Sequence, residues 1–538
     1  MKKLLLALVL YVFLMTSCAN QPALTDDTGI NEDSAATNST VTLPNSAEET
    51  TAYETAQTLA GMFYTREELL EIIENEPKLE DIQKLYPDKT VLTWVYGATG
   101  KLSSGKSTIL EINEYLDSLG CGFAVYFKVL PHDDELDYLD MVQSGIESGE
   151  EYDIIFTELS GIGQYGGTTY RECVKRNIFT PLNDYLANTQ SGQKLYSPMP
   201  ERYWDTLRID GSIYGVDGAF RSLKYGSGFL YDYEMTQKYN YDISKSPLEQ
   251  LDILHKIKDN ENCDVVAMFN DLSTDVSCIK DPSVTFGVYF DAEQKQAKCI
   301  LDNRDYIDWA RTIFELNKEG LVTNLSGGFF KDNCFMFKDT SGVLYPEGFT
   351  YETEYLSTGN YHKVIPSFSE PIIFKTGIAT GVCSYSKHKD LAFELLALAQ
   401  TDPYLNNLLT YGIEGQTYIK NGDKVDGMFG ADIIRFANRA ICYPTNREQP
   451  NQAELLISTL NSAELSPIFG IEFTLSGLEE QVNAAYEVLR DFSDKIFYNS
   501  GSFDDIVAEY RQELYDAGIQ DIIDESNRQY EEWEKSQK

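Results

Sequence analysis

The hydrophobic pattern changes character twice along the chain. Leu4 to Met15 is an unbroken apolar run of 12 residues behind Met1-Lys2-Lys3. Residues 19–52 then carry Ser, Thr, Asn, Asp and Glu with almost no large apolar side chain. From Lys89 onward, apolar positions recur at the periods of regular structure. Residues 90–96 (TVLTWVY) read as a strand, and residues 107–119 as a helix with Ile109, Leu110, Ile112, Tyr115 and Leu116 on one face. Gly120 and Gly122 stop that helix. Residues 123–130 (FAVYFKVL) predict a second strand, 133–147 a second helix and 152–156 (YDIIF) a third strand. The order β-α-β-α-β belongs to a parallel sheet covered by helices, and such sheets take ligands beyond the carboxyl ends of their strands. Those ends fall at residues 96–101 and 157–165.

The second half reads as helical. Asn303 caps a helix with Tyr306, Ala310, Ile313, Phe314 and Asn317 on one face, closed by Gly320. Residues 390–400 form another. Leu478, Val482, Ala485, Leu489 and Phe492 step by 4, 3, 4 and 3. Ser502 caps the next helix, with Ile506, Tyr510, Leu514 and Ala517 inward and Gly518 as its stop, and a last helix runs to Trp533. These stripes are packing surfaces. The chain has 538 residues, whereas a single core stops growing near about 250–300, so at least two lobes are expected.

Hydrophobic residues make up 42% and charged residues 24%, which excludes a disordered chain and a polytopic membrane protein. The 44 Lys+Arg against 85 Asp+Glu leave a net charge of −41. Such a surface repels phosphate backbones and excludes nucleic acid as a partner. The run from Leu4 to Met15 would span about 18 Å as a helix, short of a hydrocarbon core of roughly 30 Å, so it reads as the apolar centre of a signal peptide. It ends in Met15-Thr16-Ser17-Cys18, which resembles a bacterial lipobox. By that resemblance, residues 1–17 are a lipoprotein signal peptide and Cys18 is the lipidated first residue of the mature chain. Acyl chains would then anchor the protein on the extracytoplasmic face of the bacterial membrane. Residues 18–84 form the anchor, a flexible leash and a lead-in to the first lobe. Eight further cysteines, at 121, 173, 263, 278, 299, 334, 383 and 442, show no CxxC spacing. They read as scattered buried thiols, with one or two bridges left open.

Catalytic signatures are few. Residues 100–107 (GKLSSGKS) fit the phosphate-loop pattern, but no Walker-B aspartate stands out and an exported chain meets little ATP. The loop's backbone N–H groups and Lys101 instead suit an acceptor-rich ligand. The four histidines form no HExxH motif and no G-x-S-x-G elbow occurs, so no catalytic residue, cofactor or metal is assigned. Paired carboxylates leave a glycan hydrolase open as an alternative, and the acidic charge leaves a receptor for a cationic small ligand open as another. The 36 Tyr, 27 Phe and 4 Trp offer faces that stack on sugar rings, although most of them belong to the core.

Three segments carry a resemblance. Residues 203–216 (YWDTLRIDGSIYGV) followed by 225–239 (YGSGFLYDYEMTQKY) are the first. Residues 386–402 (SKHKDLAFELLALAQTD) with 406–415 (NNLLTYGIEG) are the second, and 510–533 (YRQELYDAGIQDIIDESNRQYEEW) the third. Together they resemble the family 1 extracellular solute-binding proteins, the lipoprotein receptors of carbohydrate ABC importers. Asp217 stands where that family usually has Pro, and the resemblance does not place residues 255–302.

The resemblance implies an α/β, two-lobed, periplasmic-binding-protein-like fold of type II, with a hinge between the lobes and a helical C-terminal extension. Residues 85–225 with 366–404 would form the first lobe, and 226–365 with 405–538 the second. It implies an importer receptor that traps a carbohydrate, an oligosaccharide by expectation, with an ABC permease as its partner and a monomer as its state. Strand ends and crossings then nominate ligand-binding residues. They are Tyr96, Lys101, Thr157, Glu158 and Tyr165 in the first lobe, and Asp217, Phe220, Arg221 and Tyr225 at the crossing. In the second lobe they are Tyr345 and Glu347, in a loop (GVLYPEG) resembling the family's cleft loop. Tyr411 and Glu414 carry the resemblance as structural residues. Tyr345→Ala is expected to weaken ligand binding at least about tenfold, a loss of about 1.4 kcal/mol. The melting temperature of the ligand-free protein should stay within a few degrees, and unchanged affinity in titration calorimetry rejects the assignment.

Overall fold

The first sheet grows from the three predicted strands. β1 (Thr90–Gly97), β2 (Phe123–Leu130) and β3 (Ile154–Phe156) run parallel, with Trp94 of β1 opposite Phe127 on one side and Ile154 on the other. Helices Gly105–Ser118 and Tyr138–Glu147 make the crossovers. β1 is buried without interruption from Leu92 to Gly97, as a central strand covered on both faces requires. Asn113 fastens helix to sheet: its amide donates to the carbonyls of Ile109 and Val125, and its oxygen accepts the Val125 N–H at 2.7 Å. The computed structural model describes residues 78–97, 105–130, 137–157, 169–224, 228–268, 272, 281–325, 334–339, 350–354, 361–367, 371–426, 438–445, 448–498 and 501–537.

The chain next forms a hairpin of β4 (Arg208–Ile209) and β5 (Ser212–Ile213). Asp210 and Gly211 both take left-handed φ, +48° and +83°, as a two-residue Asp-Gly hairpin turn demands. A first crossing, β6 (Leu223–Lys224), leads to β7 (Gly228–Asp232), which starts the second lobe. Its large sheet combines β7 with β8 (Asp264–Met268), β12 (Val322–Asn324), β13 (Cys334–Asp339), β14 (Tyr351–Glu354) and β15 (Tyr361–Ser367), in the order β12-β8-β13-β7-β15-β14. A separate antiparallel sheet holds β9 (Ser283–Thr285), β10 (Val288–Asp291) and β11 (Gln296–Cys299). The chain returns through β16 (Ile372–Ile373) and adds β17 (Thr380–Val382) antiparallel to β3, giving a first sheet of order β17-β3-β1-β2. Helices Lys389–Thr401 and Pro403–Tyr411, a hairpin of β18 (Ile419–Asn421) and β19 (Lys424–Asp426), and helix Gln452–Ser462 follow. β20 (Glu464–Leu465) then crosses a third time, and helices Glu479–Tyr498, Phe503–Asp516 and Ile519–Ser536 complete the second lobe.

Two large cores match the two lobes. One gathers Trp94, Leu116, Phe123, Ile154, Trp204 and Phe393, and the other Val266, Phe314, Phe335, Leu489, Phe492 and Leu514. This corrects the expected division at two points. Leu405, Leu408, Leu409, Leu456 and Leu460 pack into the first core, so helices Pro403–Tyr411 and Gln452–Ser462 belong to the first lobe, and the residues past β20 return to the second. Residues 366–367 lie in β15, within the second lobe's sheet. The amphipathic stripes alone did not reveal which core each helix faces. Residues 281–302, which the resemblance left unplaced, form the small sheet on which the last helix lies. There the Asn527 side chain accepts the Ala297 N–H at 2.7 Å, and the rings of Phe290 and Tyr530 are 4.6 Å apart.

Several sequence expectations hold locally. Asn303 caps its helix by accepting the Tyr306 N–H at 3.0 Å, and Gly320 and Gly518 end theirs with φ of +64° and +89°. Ser502 occupies its N-cap position without a side-chain capping bond. The seven cysteines among the described residues are free thiols. No helix among the described residues is long and apolar enough to cross a membrane. Cys18 and the expected signal peptide lie outside the described residues. Leu405→Ala should destabilise the protein by about 2–5 kcal/mol. In hydrogen-exchange mass spectrometry the loosening should appear in the first lobe's helices, and protection lost in helix Glu479–Tyr498 instead would return this segment to the second lobe.

Candidate functional site at the lobe crossing

Three passages of the chain meet between the lobes. The 2.9 Å backbone bonds from Val216 N to Thr380 O and from Thr380 N to Val216 O pair the outgoing and returning chains. Phe374 N donates to Ser222 O at 2.8 Å, β16 pairs antiparallel with β6, and β20 pairs parallel with β16. Ser466 N closes the set on Ile373 O at 2.8 Å. Lys375, on the returning passage, donates to the carbonyls of Asp205 and Arg208 at 2.5 and 3.0 Å and lies 4.9 Å over the Phe469 ring just past the third crossing. Burial lowers its pKa. Arg171 and Glu472 form an ion pair at 2.9 Å on the same side.

Asp217 sits at the centre of this junction. Its carboxylate accepts from Arg221 N at 2.6 Å, from the Arg221 guanidinium at 3.3 Å and from the Thr376 hydroxyl at 3.0 Å. One acid thus fastens the outgoing passage to the returning one. Its burial pushes the carboxyl up, against the pull of Arg221 and these hydrogen bonds. Phe220 takes a left-handed φ of +56°, which a non-glycine residue adopts at a cost of about 1 kcal/mol or more. Its ring packs 5.5 Å from Tyr203, whose hydroxyl accepts the Asp217 N–H at 3.0 Å. The turn leaves the Arg221 guanidinium 5.4 Å from the ring centre of Phe156, the last residue of β3.

The nominated residues therefore divide. Arg221 is half-buried at the carboxyl end of the first sheet, where a ligand is expected. Asp217 lies behind it as its support. Tyr96 and Phe220 are 2% and 3% exposed and belong to the first core. Thr157 is fully buried, and its hydroxyl accepts the Ala379 N–H at 2.8 Å, which joins β3 to the returning chain. In these three, packing and backbone pairing replace the expected ligand contact. Lys101, Glu158, Tyr165, Tyr225, Tyr345 and Glu347 lie outside the described residues. Tyr411 is structural as expected, with its hydroxyl on the Tyr443 carbonyl at 2.5 Å. Glu414 is joined to Tyr418 by a backbone bridge.

Several residues at the junction escaped the sequence reading. Arg439 N donates to Gly218 O at 2.9 Å, which brings residues 438–445 against the crossing. The Arg439 guanidinium bonds the buried Glu448 carboxylate at 2.6 Å. Burial alone would raise Glu448, but Arg439 and hydrogen bonds from Thr445 overcome it and hold the carboxyl below its usual range. No periodicity marks this irregular segment, so only the fold brings it to Gly218. Thr376 left a fainter trace, as a polar residue within the largely apolar run 372–382. In the second lobe, half-buried Trp309 stands 5.5 Å from Phe229, and Lys338 lies 5.1 Å over the Trp309 ring. Phe229 and Lys338 face each other in register at the ends of β7 and β13 nearest the crossing. Trp309 was absorbed into a packing helix, although it lies beside the Tyr306–Ala310–Ile313 face rather than in it. Among the described residues, no group of His, Cys, Asp and Glu is arranged to hold a metal ion.

Residues 467–535 match the family model "Domain of unknown function (DUF3502)". The chain is similar to a carbohydrate ABC transporter substrate-binding protein of Streptococcus pneumoniae serotype 4, at 24% identity over 420 residues, 73% of this chain and 81% of the relative. Among solved structures it resembles the N-glycan transport solute-binding protein NgtS of Streptococcus pneumoniae, with a TM-score of 0.62 at 18% identity, covering 84% of this chain and all of that one. It also resembles NgtS in complex with Man5GlcNAc, with a TM-score of 0.54 at 20% identity and the same coverage. These structures share the two-lobed fold.

The Glu448 carboxyl makes a pH prediction. Because its folded pKa is depressed, its stabilising contribution is present above the ordinary value of 4.5 and lost as pH falls through the folded value. Glu448→Gln should therefore cost at least about 1 kcal/mol at pH 7, with the gap to the wild type closing toward pH 3 in thermal melts. A gap that is constant with pH contradicts this. Asp217 has the opposite sign: its contribution is present below the ordinary 3.8 and lost as pH rises through the raised folded value.

Proposed function

We propose that this chain, a member of the family 1 extracellular solute-binding proteins that serve carbohydrate ABC importers, captures an oligosaccharide between its lobes and hands it to the permease without altering it. Three short strands joining two separate cores carry this reading. Packed cores do not deform continuously, so relative movement of the lobes concentrates in the crossings. A ligand that touches both lobes gains its full set of contacts only in the closed form, and it raises the closed population by that difference in affinity.

The first lobe would contribute Arg221 with Lys101, Glu158, Tyr165 and Tyr225, and the second Tyr345, Glu347 and the Trp309 face. Micromolar affinity needs about 8 kcal/mol. Two or three ring stacks at about 0.5–1.5 kcal/mol beyond area burial, with several hydrogen bonds at about 1 kcal/mol each, reach that range. The NgtS complexes with Man1GlcNAc and Man5GlcNAc support an oligosaccharide as the ligand. The similar proteins are transport receptors, which supports binding without turnover. Lipidation of Cys18 would keep the receptor, as a monomer on a leash, beside its permease at the outer face of the cell membrane.

Titration calorimetry against a glycan panel, followed by chromatography of the recovered ligand, tests this. Stoichiometric binding of an oligosaccharide recovered intact is expected. Shortened ligand would make the protein a hydrolase, and a response to polyamines but to no sugar would make it a receptor for cations.

A further inference from the structure

The Asp217–Arg221 pair is built asymmetrically. The Asp217 side chain is 0% exposed and the Arg221 side chain 28%, so the acid stands behind and the guanidinium in front. Asp217 is held from three sides, by Arg221 N, the guanidinium and the Thr376 hydroxyl. The guanidinium is flanked by the Phe156 ring, which leaves its N–H donors in the plane of the fork. A planar fork backed by an aromatic ring matches the spacing of hydroxyls on neighbouring sugar carbons. It matches a carboxylate equally well, and charge decides between them.

The charge is already balanced. A carboxylate within hydrogen-bond reach of the guanidinium cancels its positive charge locally. A second carboxylate, on an incoming ligand, would lose its hydration and meet a paired cation with Asp217 close behind. The net charge of −41 opposes it further. A hydroxyl needs only a polarised N–H and suffers neither penalty.

Resting on the receptor reading above, we infer that the Asp217–Arg221 pair makes this a receptor for neutral oligosaccharides and excludes uronate- or sialate-bearing ones. Arg221 is the recognising residue and Asp217 a positioning residue that also sets the charge of the site.

The test is calorimetry of the full chain with a panel of neutral oligosaccharides and acidic counterparts of matched length, each bearing one uronic or sialic acid. The wild type should favour the neutral members by at least about tenfold. Asp217→Asn, which leaves the fork but removes the balancing charge, should narrow that ratio at least about fivefold by gaining acidic ligands. Arg221→Lys keeps the charge and loses the fork. It should weaken neutral binding at least about tenfold without improving acidic binding, and it decides the matter alone should Asp217→Asn fail to fold. If the wild type binds neutral glycans but the ratio survives Asp217→Asn unchanged, or if Arg221→Lys binds them as well as the wild type does, the inference fails and the receptor reading stands. A wild type that prefers acidic glycans also overturns only the inference. A wild type that binds no member of the panel overturns both.

Discussion

Backbone hydrogen bonding among three short strands, β6, β16 and β20, is the constraint on which the rest of the molecule depends. Each strand is two residues long and belongs to neither large sheet. Through them the chain leaves the first core, returns to it and leaves again. Among the described residues, these strands and neighbours such as Arg171–Glu472 join two separate cores, so the lobes can move as bodies while their interiors stay intact. The side chains around the junction reinforce it at definite points. Asp217 ties the outgoing passage to the returning one, and Lys375 ties the returning one to the carbonyls behind it.

This arrangement places chemistry where motion is concentrated. Strand β3 ends at Phe156, the outgoing passage carries Arg221 past it, and β7 and β13 meet at Phe229 and Lys338 on the other side. The junction is also where the chain accepts local cost, in the left-handed Phe220 and the desolvated Asp217. Such costs persist only where surrounding structure over-determines them. The Tyr203 ring, the Thr376 hydroxyl and the Arg221 amide do so here.

Much of the fold was legible in the sequence because its elements obey local rules. The strands at 90–97 and 123–130, the Asn303 cap, the Gly320 and Gly518 stops and the Asp-Gly hairpin at 210–211 each follow from a few neighbouring residues. The assignment of helices to lobes was less legible. Leu405 and Leu456 sit on helices whose apolar stripes resemble that of Leu489, yet they face different cores, because periodicity identifies a buried face but not its partner. The site was legible as a region and only partly as residues. Strand ends and crossings led to Arg221, which stands half-buried beside Phe156 at the end of β3, but the same rule nominated Thr157, whose hydroxyl the Ala379 amide uses. Arg439 could not be found at all, since 221 residues separate it from its hydrogen-bond partner Gly218 and nothing local marks the contact.

The acidic surface and the Asp217–Arg221 pair at the junction belong to one electrostatic picture. A chain of this charge stays well solvated and repels anions from its surroundings, while the Arg221 guanidinium near the end of β3 has the buried Asp217 carboxyl behind it. Closure is the step that turns this static geometry into capture, and small-angle scattering reads it most directly. With an oligosaccharide shown by calorimetry to be bound, the radius of gyration should fall below that of the ligand-free protein. An unchanged radius at saturating ligand would contradict the account.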